Sequence, residues 1–339
     1  MDIQILNTPV NLLQAPNVAG LSFRLFRGDA DFPAMVECIN AAKLADAVER
    51  SETVEDVRTN YAHLKNSDPF RDVLIAEVGT EVVGYSRVEW YIDEMSHVRI
   101  YRCFGFIRPE WRRKGIGRAM LRYNEAALRK IAGEHPQDMP RQYESFGFDT
   151  EKENESLLRS EGYAVIRNSY QMVRPDLENI PDLALPEGLE FRPVRPEDYR
   201  TVWQATQEAF RDHWGYTQAT EEDYQAWIAH RNFQPELWQV AWEGSRVVGT
   251  VLNFIDTEEN REYHRRRGWT EDISTARSWR RRGVASALIA RSLIMLKEKG
   301  MEEAALGVDT QNLCGALHLY ERMGYRPIKR MSIYRKPMA

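Results

Sequence analysis

Four landmarks of this 339-residue chain occur twice, in the same order and at nearly the same separation. "EWRRKGIGRAML" (110–121) lies over "SWRRRGVASALI" (278–289), placing Arg112 on Arg280 and Gly115 on Gly283 at an offset of 168. "FRLFRGDADF" (23–32) and "FRPVRPEDYR" (191–200) share that offset. Gly84 in "EVGTEVVGY" (77–85) matches Gly249 in "AWEGSRVVGT" (241–250) at 165, and Gly162 in "RSEGYAVIRNSYQM" (159–172) matches Gly324 in "ERMGYRPIKRMSIY" (321–334) at 162. Order kept with so little drift marks a tandem duplication. Length agrees, since a chain of this size outgrows one core. The expected domains are 1–174 and 189–339, joined by a linker at 175–188, because "RPDLENIPDLALPEG" (174–188) has three prolines and no helical or alternating period.

Each half reads as a strand, one or two helices, a run of strands, the basic cassette, a long helix, a strand, a helix and a final strand. In the second half "LWQVAWEGSRVVGTVLNFID" reads as a hairpin turning at Glu243-Gly244-Ser245, and "TEDISTA" as the strand before the cassette. "VASALIARSLIMLKEKG" is so apolar that it must pack broadly on a sheet, and it stops at Gly300. "NLCGALHLYERMG" reads as a helix ending at Gly324. The fold class is mixed α/β with a largely antiparallel sheet.

Composition removes several functions. A net charge of -5 does not suit a nucleic-acid-binding domain, so the arginine clusters act locally. Cys38, Cys103 and Cys314 fit neither a disulfide scaffold nor a zinc site, and no metal is expected. The N-terminal "MDIQILNTPVNLLQAP" lacks a leader pattern, and no window reaches 18 uninterrupted apolar residues. These features lead to the expectation of a cytoplasmic protein, monomer or homodimer, without membrane or nucleic-acid partners.

The cassette itself carries chemistry. Arg280, Arg281, Arg282, Gly283, Val284 and Ala285 lie between a strand and the start of a long helix, as do Arg112, Arg113, Lys114, Gly115, Ile116 and Gly117. A helix start offers unpaired amides and a positive dipole end, and small residues let phosphate oxygens approach the backbone. Arginines add forked donors suited to a pyrophosphate.

"WRRKGIGRAML" and "WRRRGVASALI", followed by "VDTQNLCGALHLYERMGY", resemble the GNAT superfamily of N-acetyltransferases, and the tandem arrangement resembles two-domain members of the mycothiol synthase type. The resemblance implies two GNAT-like acyl-CoA N-acyltransferase domains, acetyl-CoA as co-substrate, and a cleft where two central strands part. It also implies that the strand ends Thr275 and Ile107 pair with the pantetheine, and that Asn312 belongs to the cofactor site.

Acetyl transfer to an amine needs a neutral nucleophile and a proton for the departing thiolate. A lysine-like amine with pKa about 10.4 costs roughly 4 to 5 kcal/mol to present neutral at pH 7. A base near the amine and an acid near the sulfur are therefore expected. The family's acid is often a tyrosine in N-x-x-[AG]-x-x-L-Y-x-x-x-G-[FY], matched here by Asn312, Gly315, Leu319, Tyr320, Gly324 and Tyr325. Tyr320 also shares a helical face with Leu313, Ala316, Leu317 and Met323, as a core tyrosine would. The first half has Leu158 at the Tyr320 position, Thr150 at that of Asn312 and Cys103 at that of Glu271, so its domain is expected to be non-catalytic. Glu271 is the expected base, with Asp256, Glu258 and Glu259 as rivals. Asp212, His213, Trp214 and Tyr216 are placed by family topology beside the acceptor groove, and "YHRRRGW" (263–269) reads as a solvated hairpin tip. The leading reading is acetylation of a small-molecule primary amine by direct attack in the second domain. The alternatives are acetylation of a protein N-terminus or lysine, and a non-enzymatic acyl-CoA-binding sensor or scaffold.

Overall fold

The computed structural model describes residues 9–49, 51–312 and 314–338. Leu313 and the first eight residues, both used in the sequence reading, lie outside them. Two compact units emerge: residues up to Ile166 together with those from Ser332 onward, and Arg167–Met331.

The first unit contains β1 (Leu21–Leu25), α1 (Phe32–Ala45), α2 (Val54–Ala62), α3 (Pro69–Asp72), β2 (Val73–Val78), β3 (Glu81–Asp93), β4 (Val98–Ile107), α4 (Ile116–Gly133), β5 (Arg141–Phe148), α5 (Lys152–Ser160) and the start of β6 (Ala164–Arg174). Strands β1 to β4 are antiparallel neighbours, and β5 joins β4 in parallel. The second unit contains the rest of β6, β7 (Glu190–Phe191), α6 (Tyr199–Phe210), α7 (Glu221–Ala229), β8 (Gln239–Glu243), β9 (Arg246–Phe254), α8 (Thr257–Glu262), β10 (Arg267–Thr275), α9 (Val284–Glu298), β11 (Glu303–Asp309), α10 (Ala316–Arg322) and the start of β12 (Arg326–Pro337). Here β7 to β10 are antiparallel and β11 joins β10 in parallel, repeating the plan of the first unit.

The halves of the sequence and the units of the structure do not coincide. In the second unit β11 pairs antiparallel with Ser169–Arg174 of β6. In the first, β5 has the tail of β12 as neighbour, and the Met338 amide donates to the Arg141 carbonyl at 3.0 Å. Each unit thus takes its outer central strand from the opposite half of the chain. The expected linker is also packed: Leu177 is buried in the second unit's core beside Ile180, Leu185 and Leu189. Arg174 bonds the Met323 carbonyl at 2.6 Å. These apolar residues follow no regular period, so a pattern search passes over them although each is anchored.

Local sequence explains the elements that frame the site. Thr53 with Asp56 and Thr220 with Asp223 form capping boxes at the starts of α2 and α7. Helix α9 buries Leu288, Ile289, Leu293 and Leu296. It lies close to the sheet because two strand positions lack a side chain. A Cβ at Gly249 would meet Val284 at 2.7 Å, and one at Gly268 would meet Leu296 at 2.4 Å. The β8–β9 hairpin turns at Gly244, with φ 58, where expected.

Two local expectations are corrected. "YHRRRGW" is no solvated tip: it follows α8 and enters β10, Arg265 pairs with Glu259, and the buried Arg267 pairs with Glu303 at 2.7 Å. Charge alone had made that stretch read as exposed. The helix expected over "NLCGALHLYERMG" begins only at Ala316: the Gly315 amide donates to the Asn312 carbonyl at 3.3 Å, and Gly315 is left-handed at φ 73.

Candidate active site

Both cassettes take the same backbone path. Arg280 is extended, Arg281 is left-handed with φ 62, and Gly283 is left-handed with φ 91 before α9 begins. Arg112, Arg113 (φ 60) and Gly115 (φ 88) repeat the path before α4. Left-handed arginine is unfavourable by about 1–2 kcal/mol, and its appearance twice at matched positions indicates a backbone shape the fold maintains. Such turns gather successive amides into an anion-binding concavity. In α9 the first donor within the helix is Ala287, to Gly283 at 3.0 Å, leaving the preceding amides to face the loop.

The arginines divide their work. Arg280 donates to Asp212 at 3.0 Å, to the Ala209 carbonyl at 2.9 Å and to the Thr275 carbonyl at 3.3 Å. Arg112 grips Asp46 through two 2.7 Å bonds and donates to the Ile107 carbonyl at 3.1 Å. Both were expected to offer charge to a pyrophosphate, yet both guanidinium groups are already engaged. They brace the strand ends Thr275 and Ile107 against the loop. Arg277 also bonds Asp212, and the two arginines hold its carboxyl below the usual range, so Asp212 anchors the loop instead of waiting for an amine. Arg281 and Arg282 are exposed, with Arg282 over the Trp279 ring at 5.0 Å. In the first unit Lys114 lies 4.2 Å from the centre of the Trp111 ring, and Ile116 is buried.

Strands β10 and β11 pair only from Arg267–Glu303 to Trp269–Ala305 and then part. The opening is a cleft of about 1030 Å³. It brings together Glu271, Thr275, Arg280, Arg281, Gly283, Val284, Ala285, Asn312 and Tyr320, but not Arg282. The matching opening in the first unit is smaller, about 360 Å³, and is lined by Ile107, Arg112, Arg113, Gly115 and Gly117. The Asn312 side chain accepts the Cys314 amide at 2.8 Å, shaping the turn before α10.

Tyr320 is both a core residue and a cleft residue, 6% exposed. Its ring meets that of Tyr325 edge-on at 6.3 Å, and the Tyr325 hydroxyl is bonded to Thr270 at 2.8 Å. Among the described residues no hydrogen bond engages the Tyr320 hydroxyl. Burial, reinforced by the carboxylate of Glu271, keeps it protonated well above the usual phenol range. Glu271 accepts the Gly307 amide at 2.9 Å. Its recessed position pushes the carboxyl up to about 8; repulsion from Asp272 adds to this and the Gly307 amide opposes it. The rival carboxylates have structural duties. Asp256 caps α8 and pairs with Arg231 at 2.6 Å, Glu259 pairs with Arg265, and Glu258 with Arg261.

Sequence reasoning missed a break in the ladder. Glu271 faces Leu252 and Ser274 faces Thr250, so Asp272 and Ile273 both stand opposite Val251, with Asp272 left-handed at φ 46. The β3–β4 ladder runs unbroken from Gly84–Ile107 to Asp93–Val98. The left-handed turn at Asp272 is visible only in the fold, and nothing in the sequence pattern of "TEDISTA" marks the extra residue. The first unit also lacks both reactive groups: Leu158 is buried where Tyr320 stands, and because the bulge adds a residue to β10 the ladders place Phe104 where Glu271 stands, with Cys103, expected at that place, matching Thr270 instead. His213 lines the second cleft, its imidazole pushed toward the neutral form mainly by burial, while Trp214 stacks under Arg167 at 5.2 Å.

Comparison with known proteins agrees with this geometry. Residues 199–325 match the acetyltransferase (GNAT) family model, and residues 69–150 match an acetyltransferase (GNAT) domain. A mycothiol acetyltransferase of Geodermatophilus obscurus is 26% identical over 309 residues, covering 87% of this chain and 91% of that one. Another, of Salinispora tropica, is 30% identical over 227 residues, covering 65% and 67%. The crystal structure of a GCN5-related N-acetyltransferase from Sphaerobacter thermophilus shares the fold with a TM-score of 0.70 at 24% identity, covering 96% of this chain and 97% of that one.

Proposed function

The chain belongs to the GNAT acetyltransferase family as a tandem two-domain acyltransferase, and on that premise we propose that its second unit transfers the acetyl group of acetyl-CoA to a primary amine of a small molecule. The observation that carries this reading is the meeting of Tyr320 and Glu271 in one cleft whose mouth is the Arg281–Ala285 loop.

Acetyl-CoA suits the residues present. The space a side chain at Gly283 would take is open, with no atom within 4 Å. The loop amides, with Arg281, would hold the pyrophosphate, and Thr275 would border the pantetheine. Acetyl-CoA supplies an activated thioester. Glu271 takes a proton from the amine, directly or through water, as the amine attacks the carbonyl carbon. As the C–S bond breaks, Tyr320 donates its proton to the sulfur. Amide and thiol are the products. A carboxyl near pKa 8 suits a base for ammonium donors. The name shared by the relatives, mycothiol acetyltransferase, supports a small-molecule acceptor. The first unit serves as a non-catalytic partner domain.

CoA release measured over a panel of amino sugars, amino acids and diamines tests the proposal. Acetyl-CoA-dependent release with at least one panel amine is expected. Release that occurs only with peptides bearing a free N-terminus or lysine would replace the small-molecule acceptor, and no release with any amine would favour a binding protein.

A further inference from the structure

The break in β10 is held by two hydroxyls. Thr250 is fully buried and Ser274 nearly so, and their oxygens are 2.7 Å apart. Thr250 Oγ1 also donates to the Asp272 carbonyl at 2.9 Å. A hydroxyl has one proton, so Ser274 must donate to Thr250 while Thr250 donates to the carbonyl. That carbonyl belongs to a residue the bulge has removed from regular pairing, and Thr250 supplies the partner the ladder no longer provides.

The first unit shows what occupies this place without a bulge. Gly84–Ile107 and Gly249–Thr275 close the two ladders at equivalent points, so the next rung is Tyr85–Phe106 in one and Thr250–Ser274 in the other. The aromatic rings of Tyr85 and Phe106 lie 5.6 Å apart beside a continuous ladder. A regular ladder in the second unit would shift Glu271 by one position, and a one-residue slip turns a strand side chain to the opposite face.

We propose that Thr250 and Ser274 are positioning residues for the acyl transfer, their paired hydroxyls fixing the turn at Asp272 and through it the Glu271 carboxylate in the cleft. This rests on the reading of Glu271 as the base. The groups facing Glu271 are Asp272 on its own strand, the Gly307 amide on β11, Tyr320 on α10 and Tyr325 just before β12. None of them is itself substituted by a change at Thr250 or Ser274, so a moved Glu271 midpoint reports a changed placement of the carboxylate among them.

Thr250→Val keeps the shape and removes the hydroxyl. Its effect is read as kcat and KM by CoA release with the panel amine turned over fastest, and as the carboxyl titration of Glu271 by carbon-13 NMR, assigned through loss of the signal in Glu271→Gln. The valine variant is expected to lose about tenfold or more in kcat, as misplacement of a reacting group does, with KM for acetyl-CoA little changed. It is also expected to move the Glu271 midpoint, and Thr250→Ser to restore both. Ser274→Ala is expected to move the midpoint in the same direction. An unchanged Glu271 midpoint in either variant overturns the proposal. Should Glu271→Gln retain full activity, the base reading fails, while the NMR midpoint still decides whether the hydroxyl pair positions the carboxylate.

Discussion

In the proposed transfer Tyr320 serves as the acid because its proton stays on until sulfur needs it, and burial in the core of the second unit keeps it there. Tyr320→Phe is expected to lower kcat by roughly 10²–10⁴ while leaving the KM for acetyl-CoA nearly unchanged, which steady-state kinetics at neutral pH would reveal. As the proposed base, Glu271 sets the expected pH dependence. With its carboxyl near 8, kcat/KM should rise through that pH, and Glu271→Gln should abolish the rise. The same group affects stability with a definite sign. Glu271 binds its proton more tightly folded than unfolded, so its contribution is greatest at low pH, declines from the ordinary carboxylate range up to about 8, and is lost above. Thermal melts should therefore show Glu271→Gln gaining on the wild type at pH 9 relative to pH 5.

At the scale of elements, the two loops proposed for pyrophosphate share a backbone but not surroundings. Ala285 and Gly117 are equivalent, and a carboxylate at either would repel a phosphate at the helix start. Ala285→Glu is expected to raise the KM for acetyl-CoA about tenfold or more, since one charge-assisted contact is worth about 1.5–3 kcal/mol, whereas Gly117→Glu should leave it unchanged. The reverse pattern would place turnover in the first unit. The sequence made much of this region legible. The glycines, the apolar helix and the tyrosine motif are all short-range signals, and each lies where it was expected. The roles of Arg280 and Arg112 were not legible, because their partners Asp212 and Asp46 are 68 and 66 residues away and only folding brings them close. The left-handed Arg281 and Arg113 were equally hidden, since no local propensity favours that conformation in arginine.

At the scale of the whole molecule, the repeat gave the number of units but not where each unit ends. Pairing within a repeat and pairing across repeats look identical in sequence when both use the same strand pattern. The last strand shows the difference. Arg335 is 7% exposed and bonds Glu144 at 2.8 Å and Asp93 at 3.4 Å, and Lys336 bonds Glu125 at 2.6 Å, all within the first unit. Arg335→Ala leaves two buried carboxylates short of a cation, and a loss of about 3–5 kcal/mol is expected. Hydrogen exchange should accelerate in β4 and β5 more than in β8 and β9. The exchange of strands also bears on synthesis. The first unit is translated early, yet the strand that flanks β5 leaves the ribosome only after the whole of the second unit. Until then β5 presents an unpaired edge, so the nascent chain must hold a sheet open for most of its own translation, and an arrest just before Ser332 would trap that edge exposed.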